Sequence, residues 1–294
     1  MKCYCLDMGG YRIKLECASG EADFLPSPRF HKYIVDDDNY DFLVKVHRGS
    51  YTIPDKAQRV FRAPWQEKNA NTLIKTSEFW NVFKNSDIFY LKVCFPYNQG
   101  LKSGLLVFSL KTFPWHLWIE SEDNTFDPIS YPLDGLLLYY LTVINGDIMI
   151  HASGVNYAGR GYVFSGISGK GKTTIAHLWE NEGAEIIHDD RLIIRRNGDS
   201  YLFYNTPVYE NDEPRKSRLD NLFLIEHSEE NMIVPISGSS AISQVLANCI
   251  QHNWNMEIIA GSMKAVSLMC ESVPVAKLYF KPDRNIVDFV VKQV

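Results

Sequence analysis

The chain has 294 residues, 46% hydrophobic and 13% aromatic, which is enough apolar material for one large or two ordinary packed domains. A formal net charge of −5 leaves no basic footprint and argues against nucleic acid as a partner. The longest apolar stretch, Leu136 to Ile144, is too short to cross a bilayer, so no membrane partner is expected.

The N-terminus lacks the basic-then-apolar pattern of a signal peptide. The six cysteines are Cys3, Cys5, Cys17, Cys94, Cys249 and Cys270. Only Cys3 and Cys5 are close, and no second pair completes a tetrahedral metal site. Alternation puts these two on one strand face as buried thiols. The pattern points to a reduced, cytoplasmic chain. The acidic run Asp36-Asp37-Asp38 reads as a solvated loop.

In chain order, residues 11–17, 41–47, 88–95, 104–110 and 115–120 are rich in β-branched and aromatic residues and read as strands. Turn signals separate them at Gly49-Ser50, Pro96-Tyr97-Asn98-Gln99-Gly100 and Phe113-Pro114. One helix is expected over 77–83. Residues 1–130 therefore form a β-rich accessory domain without a nucleotide motif, a metal cluster or a nucleophile–base pair. Residues 131–294 form the second domain. It opens on an apolar helix at 133–145, followed by short strands at 147–151 and 155–157 and a turn at Ala158-Gly159-Arg160-Gly161.

Residues 161–165 form a β-prone run into Gly166-Ile167-Ser168-Gly169-Lys170-Gly171-Lys172-Thr173, a complete phosphate-binding loop of the form G-x-x-x-x-G-K-[ST]. A helix at about 173–182 follows, and Gly183 stops it. The glycines let successive backbone N–H groups turn toward phosphates. Lys172 supplies a point charge for the β- and γ-phosphates. Thr173 offers a hydroxyl to Mg²⁺, and the helix N-terminus favours the same anion. Gly166, Ser168, Gly169, Lys170, Gly171, Lys172, Thr173 and Thr174 are the nucleotide-binding candidates.

A run at 184–190 ends in Asp189-Asp190, sixteen positions after Thr173, which is room for one helix and one returning strand. That spacing places both carboxylates beside the loop. One can hold Mg²⁺ and the other can accept a proton from an attacking hydroxyl. Strands at 191–196 and 201–205 flank Asn197-Gly198, a hairpin signal. His151 can reach the loop if its strand neighbours the loop strand, either to assist proton transfer or to bind a phosphate oxygen. A satisfied structural histidine is the alternative reading. His188 should face the other side of its strand in a structural role. Arg215, Lys216 and Arg218, in a loop after Pro207, either clamp an anion or pair with Glu210, Asp212 and Glu213. Strands at 222–226, 232–236 and 275–280, helices at 241–250 and 256–271, and a last helix after the N-cap Asp283 complete the chain.

The stretch from His151-Ala152-Ser153-Gly154-Val155, through the loop, to Ile187-His188-Asp189-Asp190-Arg191 resembles the catalytic domain of HPr kinase/phosphorylase and its relatives in the phosphoenolpyruvate carboxykinase-like superfamily. The resemblance spans roughly residues 130–294. It implies an α/β (α+β) mixed-sheet P-loop domain rather than a fully parallel doubly wound sheet, with ATP and Mg²⁺ as cofactors. By that resemblance Asp189 is the acid/base residue, Asp190 a metal-side carboxylate with Thr173, and His151 a catalytic helper. The β-rich first half departs from the true HPr kinases, and the likeness is closer to HPr kinase-related proteins of varied acceptors. The expected activity is transfer of the γ-phosphoryl group to a Ser-type hydroxyl of a peptide, protein or small metabolite. A homo-oligomer is left open. Two alternatives stand beside it: a nucleotide-binding module without transfer, and a small-metabolite kinase of the shikimate-kinase type. The latter would continue into a helix after Asp190 instead of a hairpin.

Overall fold

The computed structural model describes residues 1–18, 20, 22–36, 39–69, 72–95 and 100–294. The turn expected at Pro96-Tyr97-Asn98-Gln99 and residues Asp37 and Asp38 of the acidic run lie outside the described residues. The fold is mixed α/β, with two large mixed sheets and few helices. The chain divides into two compact units, one of Met1–Tyr140 with Tyr209–Asn211 and the other of Leu141–Val208 with Asp212–Val294.

The first unit contains β1 (Cys3–Met8), β2 (Tyr11–Cys17), β3 (Asp23–Phe24), β4 (Ile34–Val35), β5 (Phe42–Arg48), β6 (Gln58–Asn69), β7 (Thr72–Asn85), β8 (Ile88–Val93), β9 (Leu101–Phe108), β10 (Trp115–Ser121) and β11 (Thr125–Phe126). Helix α1 (Leu133–Ile144) carries the division between the units. The main sheet runs β4-β1-β2-β5-β10-β9-β8-β7-β6. Its β2/β5 and β5/β10 pairs are parallel, and the other pairs are antiparallel. The alternation of 11–17 is the alternation of burial in β2, where Tyr11, Ile13 and Leu15 point inward.

The helix expected over 77–83 is instead part of β7, which pairs with β6 on one side and β8 on the other. Phe79, Trp80, Asn81 and Val82 are all buried, so this strand is covered on both faces. A run buried on both faces loses the period of two that marks a strand, and sequence periodicity then imitates a helical stripe. Trp80 stacks on Phe61 of β6 with ring centroids 4.6 Å apart, a cross-strand contact that only the sheet provides.

The second unit contains β12 (Ile148–Tyr157), β13 (Arg160–Ser165), α2 (Lys172–Asn181), β14 (Glu185–His188), β15 (Arg191–Asn197), β16 (Ser200–Asn205), β17 (Lys216–Arg218), β18 (Asn221–His227), β19 (Met232–Ile236), α3 (Gly238–Leu246), α4 (Met256–Ser272), β20 (Val275–Phe280) and α5 (Asn285–Gln293). The sheet order is β17-β16-β15-β12-β13-β18-β20-β19, and β14 pairs with β12 off this path. β13, β18 and β20 are parallel neighbours, and β12 runs antiparallel to β13. Alternate residues feed two cores. Leu192, Phe203, Leu222 and Leu224 pack with Val245, Val266 and Met269 of α3 and α4. Phe164, Phe223 and Leu278 pack with Ile175 and Trp179 of α2 and Val287 of α5. Trp179 is fully buried against Tyr162 at 4.6 Å between centroids, and its burial contributes about 4 kcal/mol before entropy is subtracted.

Four local expectations are revised. The strands expected at 147–151 and 155–157 are one strand, β12, because Gly154 does not break it. A Cβ there would lie 2.5 Å from the Phe203 ring, so the glycine makes room for a core aromatic rather than a turn. The hairpin's two loop residues are Gly198-Asp199, since Asn197 still pairs with Ser200; Gly198 supplies the positive φ of 60°. The helix expected at 241–250 ends at Leu246, and Cys249 bridges Ile150 instead. The last helix has Arg284 rather than Asp283 at its N-cap, without a side-chain cap bond, and the Asp283 carboxylate one residue earlier accepts from the Asn285 N–H at 3.0 Å.

Gly161 is the tightest approach in this unit. A Cβ there would stand 1.7 Å from the Arg218 carbonyl oxygen, and that neighbour is backbone. Gly161→Ala should lower stability by roughly 3 kcal/mol or more, because backbone yields less readily than a side chain. Denaturant unfolding checks this. A variant within 0.5 kcal/mol of the parent (roughly the spread of neutral surface changes) would show that the contact relaxes freely.

Candidate functional site

One end of the second sheet carries the glycine loop, His151 and the Asp189-Asp190 link. β13 ends at Ser165, and the 166–171 loop follows into α2. Gly169 and Gly171 have φ of 84° and 90°, conformations that favour glycine. Gly171 has a second constraint, since a Cβ would lie 2.8 Å from Nε2 of His227. Lys172 opens α2 and is buried, with Nζ donating to the Gly166 carbonyl at 2.8 Å and the Ile167 carbonyl at 3.3 Å. Burial pushes its ammonium pKa down, and the Asp190 charge pulls it back up. Ser168, Thr173 and Thr174 are exposed. Lys170 leans out to Glu226, with Nζ 2.8 Å from Oε1.

Asp189 and Asp190 occupy a gap in a strand edge. β15 pairs with β12 over Ile148 to His151, and β14 pairs with it from Gly154 to Asn156. The two aspartates form the link between those ladders, where the Ala152 N–H donates to the Asp190 carbonyl at 3.1 Å. On the other side of β12, Ala152 pairs with Ser165, the residue just before the loop. The aspartate link and the start of the loop are thus two strand spacings apart, about 10 Å. His151 Nδ1 lies 3.4 Å from Asp190 Oδ1, and Arg191 Nε lies 3.4 Å from Oδ2. The Ser165 hydroxyl donates to the His151 carbonyl at 2.9 Å, tying β12 to the end of β13. The Asp189 side chain is half-buried and has no hydrogen bond or ion pair among the described residues.

The hydrogen bond from His151 holds the Asp190 carboxyl below the usual carboxylate range, with burial opposing it and the Arg191 charge assisting. A folded pKa below the unfolded one means that this stabilisation is present above the unfolded value and is lost as pH falls through the folded one. On acidification below about pH 4, the parent should therefore lose melting temperature faster than Asp190→Asn, which carries no such component. Parallel melting curves against pH for the two chains would remove Asp190 as an acid-sensitive element.

The basic cluster is not brought to the loop. Lys216 and Arg218 lie on an edge strand, β17, rather than in a loop. The Arg218 backbone abuts Gly161, at the start of β13 and the end remote from residue 166, and its guanidinium pairs with Asp220 at 3.2 Å. Arg215 donates to the Ile186 carbonyl at 3.1 Å and pairs with Glu213 at 2.9 Å, beside the start of β14 rather than its Asp end. The reason is topological: the chain after β16 returns along the sheet edge and meets the opposite end of β13.

His188 does have the structural position expected, and it does more than fill space. It is buried, its Nδ1 accepts from the N–H groups of Asp190 at 3.1 Å and Arg191 at 3.3 Å, and its Nε2 lies 3.4 Å from Asp212 Oδ2. Glu226 and His227, at the end of β18 beside the loop, were not singled out in the sequence. The signal was available, because a strand parallel to the loop strand must end at the same edge. A cavity of about 250 Å³ opens there, lined by Gly166, Lys170, Glu226, Gln244, Asn248 and Lys277 among others.

Mg²⁺ prefers few protein ligands, all oxygen, and leaves the remaining positions to water and phosphate. The exposed Thr173 hydroxyl, next to Lys172 in the chain, and the Asp190 carboxylate, near enough for its charge to act on Lys172, are hard oxygen donors, and they fit that preference in type and number. No group of three or more His, Cys, Asp or Glu side chains converges to hold a metal among the described residues. The described helices include none long and apolar enough to cross a membrane. The antiparallel β15–β16 hairpin directly after Asp190 is the arrangement that argues against a shikimate-kinase-type continuation.

No family model matches the chain, and no curated protein sequence matches it. Among solved structures it is similar to the Hpr(Ser) kinase/phosphatase from Coxiella burnetii, at 8% identity over 49% of this chain and 94% of that one, with a TM-score of 0.30. A likeness of that size carries no argument about fold or activity.

Proposed function

We propose that the chain is a Mg²⁺/ATP-dependent phosphotransferase that moves the γ-phosphoryl group to a Ser-type hydroxyl of a peptide, protein or small metabolite. The supporting observation is the link between the β14 and β15 ladders on β12, which carries Asp189 and Asp190 two strand spacings from the start of a glycine loop.

In this reading the N–H groups of residues 169–173 and Lys172 bind the triphosphate, with contributions from Gly166, Ser168 and Thr174. Asp189 orients the acceptor hydroxyl and takes its proton. The hydroxyl oxygen bonds to the γ-phosphorus as the bond from that phosphorus to the β–γ bridging oxygen breaks, and ADP leaves. Asp190 and Thr173 would hold Mg²⁺, which when bound supplies charge neutralisation at the β- and γ-phosphates. His151 holds the Asp190 carboxylate in its ionised form. A loose transition state asks for placement and charge more than for base strength, so the position of Asp189 is what matters.

Transfer of label from γ-labelled ATP to peptides, HPr-like proteins and hydroxy-amino acids tests this, with labelling of the chain itself followed in the same tubes. Label in a hydroxyl acceptor supports the reading. ATP binding without consumption under any acceptor would make the chain a nucleotide-binding module and end the transferase proposal.

A further inference from the structure

We infer that His188 and Asp212 form a positioning pair that holds the Asp189-Asp190 link in its site-facing conformation; this deepens, and rests on, the phosphotransferase reading. The link has two ends to secure. One is secured by the Asp190 carbonyl, which accepts from Ala152. The other depends on the N–H groups of Asp190 and Arg191, and both of these converge on a single acceptor, Nδ1 of His188. β15 begins at Arg191, and its first residue pairs with His151, so an error in the link would also shift the partner of Asp190.

An imidazole nitrogen that accepts two N–H groups carries no proton, so the ring N–H is at Nε2, the nitrogen that faces Asp212. Asp212 is itself held, since its Oδ2 accepts from the Val208 N–H at 2.9 Å. The ring is 4% exposed, and both of its nitrogens have polar partners within 3.4 Å. Asp212 therefore fixes which nitrogen accepts, and His188 fixes where the aspartates sit. Both act through the aspartate link, so neither is assigned a catalytic role. The register slip between Gly154 and Val155 on β12, opposite β14, shows that the ladder is already irregular where His188 sits, and the imidazole supplies the acceptor that a regular ladder would have supplied.

Two substitutions separate this role from space-filling. The Oδ1 of His188→Asn can take the place of Nδ1 and accept from the N–H groups of residues 190 and 191 in an Asx-type turn, while losing the Asp212 contact. His188→Gln can reach Asp212 but offers no acceptor at the Nδ1 position. Amide hydrogen exchange of Asp190 and Arg191 is read alongside Mg²⁺-dependent ATP turnover and the affinity for ATP. His188→Gln should lose protection at both amides and lower kcat by at least tenfold with the KM for ATP nearly unchanged. His188→Asn should stay within about threefold of the parent on both readings, since one N–H···O bond in place of N–H···N is a change of well under 1.4 kcal/mol, the tenfold unit.

Equal protection in the two variants, or lost protection without any effect on turnover, overturns the positioning role. If the parent itself turns over no ATP, the transferase reading fails separately. The exchange pattern, together with the Mg²⁺ dependence of ATP affinity in the two variants, then decides the role of His188 alone. A loss of protection confined to His188→Gln supports it, and identical exchange overturns it.

Discussion

Asp189→Asn should abolish phosphoryl transfer while leaving ATP affinity nearly intact. General-base assistance is worth roughly 10²–10⁴ in rate, so turnover should fall by that factor. The affinity for ATP should move by less than about threefold, the factor that corresponds to roughly 0.6 kcal/mol. The separation follows from the geometry. The Asp189 carboxylate has no hydrogen bond or ion pair among the described residues, so nothing in the fold relies on its charge. Stability should accordingly stay within about 0.5 kcal/mol of the parent. Asp190 differs, because its carboxylate is shared by His151 and Arg191. Single-turnover rates and calorimetric ATP titrations on the same preparation give both numbers. Unchanged turnover in Asp189→Asn would take that residue out of the mechanism and leave proton transfer without an owner.

Lys172→Ala should lose both binding and transfer. The ammonium is the one side-chain cation that the loop turns inward, held by the Gly166 and Ile167 carbonyls. Its pKa is pushed down by burial, and the Asp190 charge offsets only part of that cost, so a further anion beside it would be favourable. A triphosphate would supply that anion. Affinity for Mg·ATP should fall at least tenfold, and transfer on the order of 10²–10³, the size of a removed charge-stabilising donor. Lys172→Arg should rescue little, because a planar fork cannot replace a compact ammonium between two carbonyls. The stability effect is expected to be small in either direction. Loss of charge-assisted hydrogen bonds, about 1.5–3 kcal/mol, is offset by relief of the buried charge. Calorimetric binding and a thermal melt measured together check both parts. ATP affinity equal to the parent's would mean that the loop does not receive the triphosphate.

Residues 166–173 announce a tight glycine turn between a strand and a helix, and β13, the loop and α2 have that form, with positive φ at Gly169 and Gly171. Such local features are legible because steric permission, turn chemistry and capping act over a few residues. The hairpin after Asp190 and the strands at 11–17 and 275–280 were legible for the same reason. The strand β7 was not, because a segment buried on both faces carries no alternation. Neither was the continuity of β12 through Gly154, since the reason for that glycine is the ring of Phe203, forty-nine positions later in the chain.

The sequence by itself determined the kinds of groups present: a glycine loop with an inward lysine, two adjacent carboxylates close behind it, and alternating apolar runs to bury. Only the tertiary structure decided which of them meet. It put His151 against Asp190, sent Arg215, Lys216 and Arg218 to the far end of β13, and brought Glu226 and His227 to the loop. The physical reason is that strand order and direction are set by which faces must be buried against distant partners. The end of the sheet at which a side chain arrives is therefore a property of the whole ladder, and no window of neighbouring residues contains it.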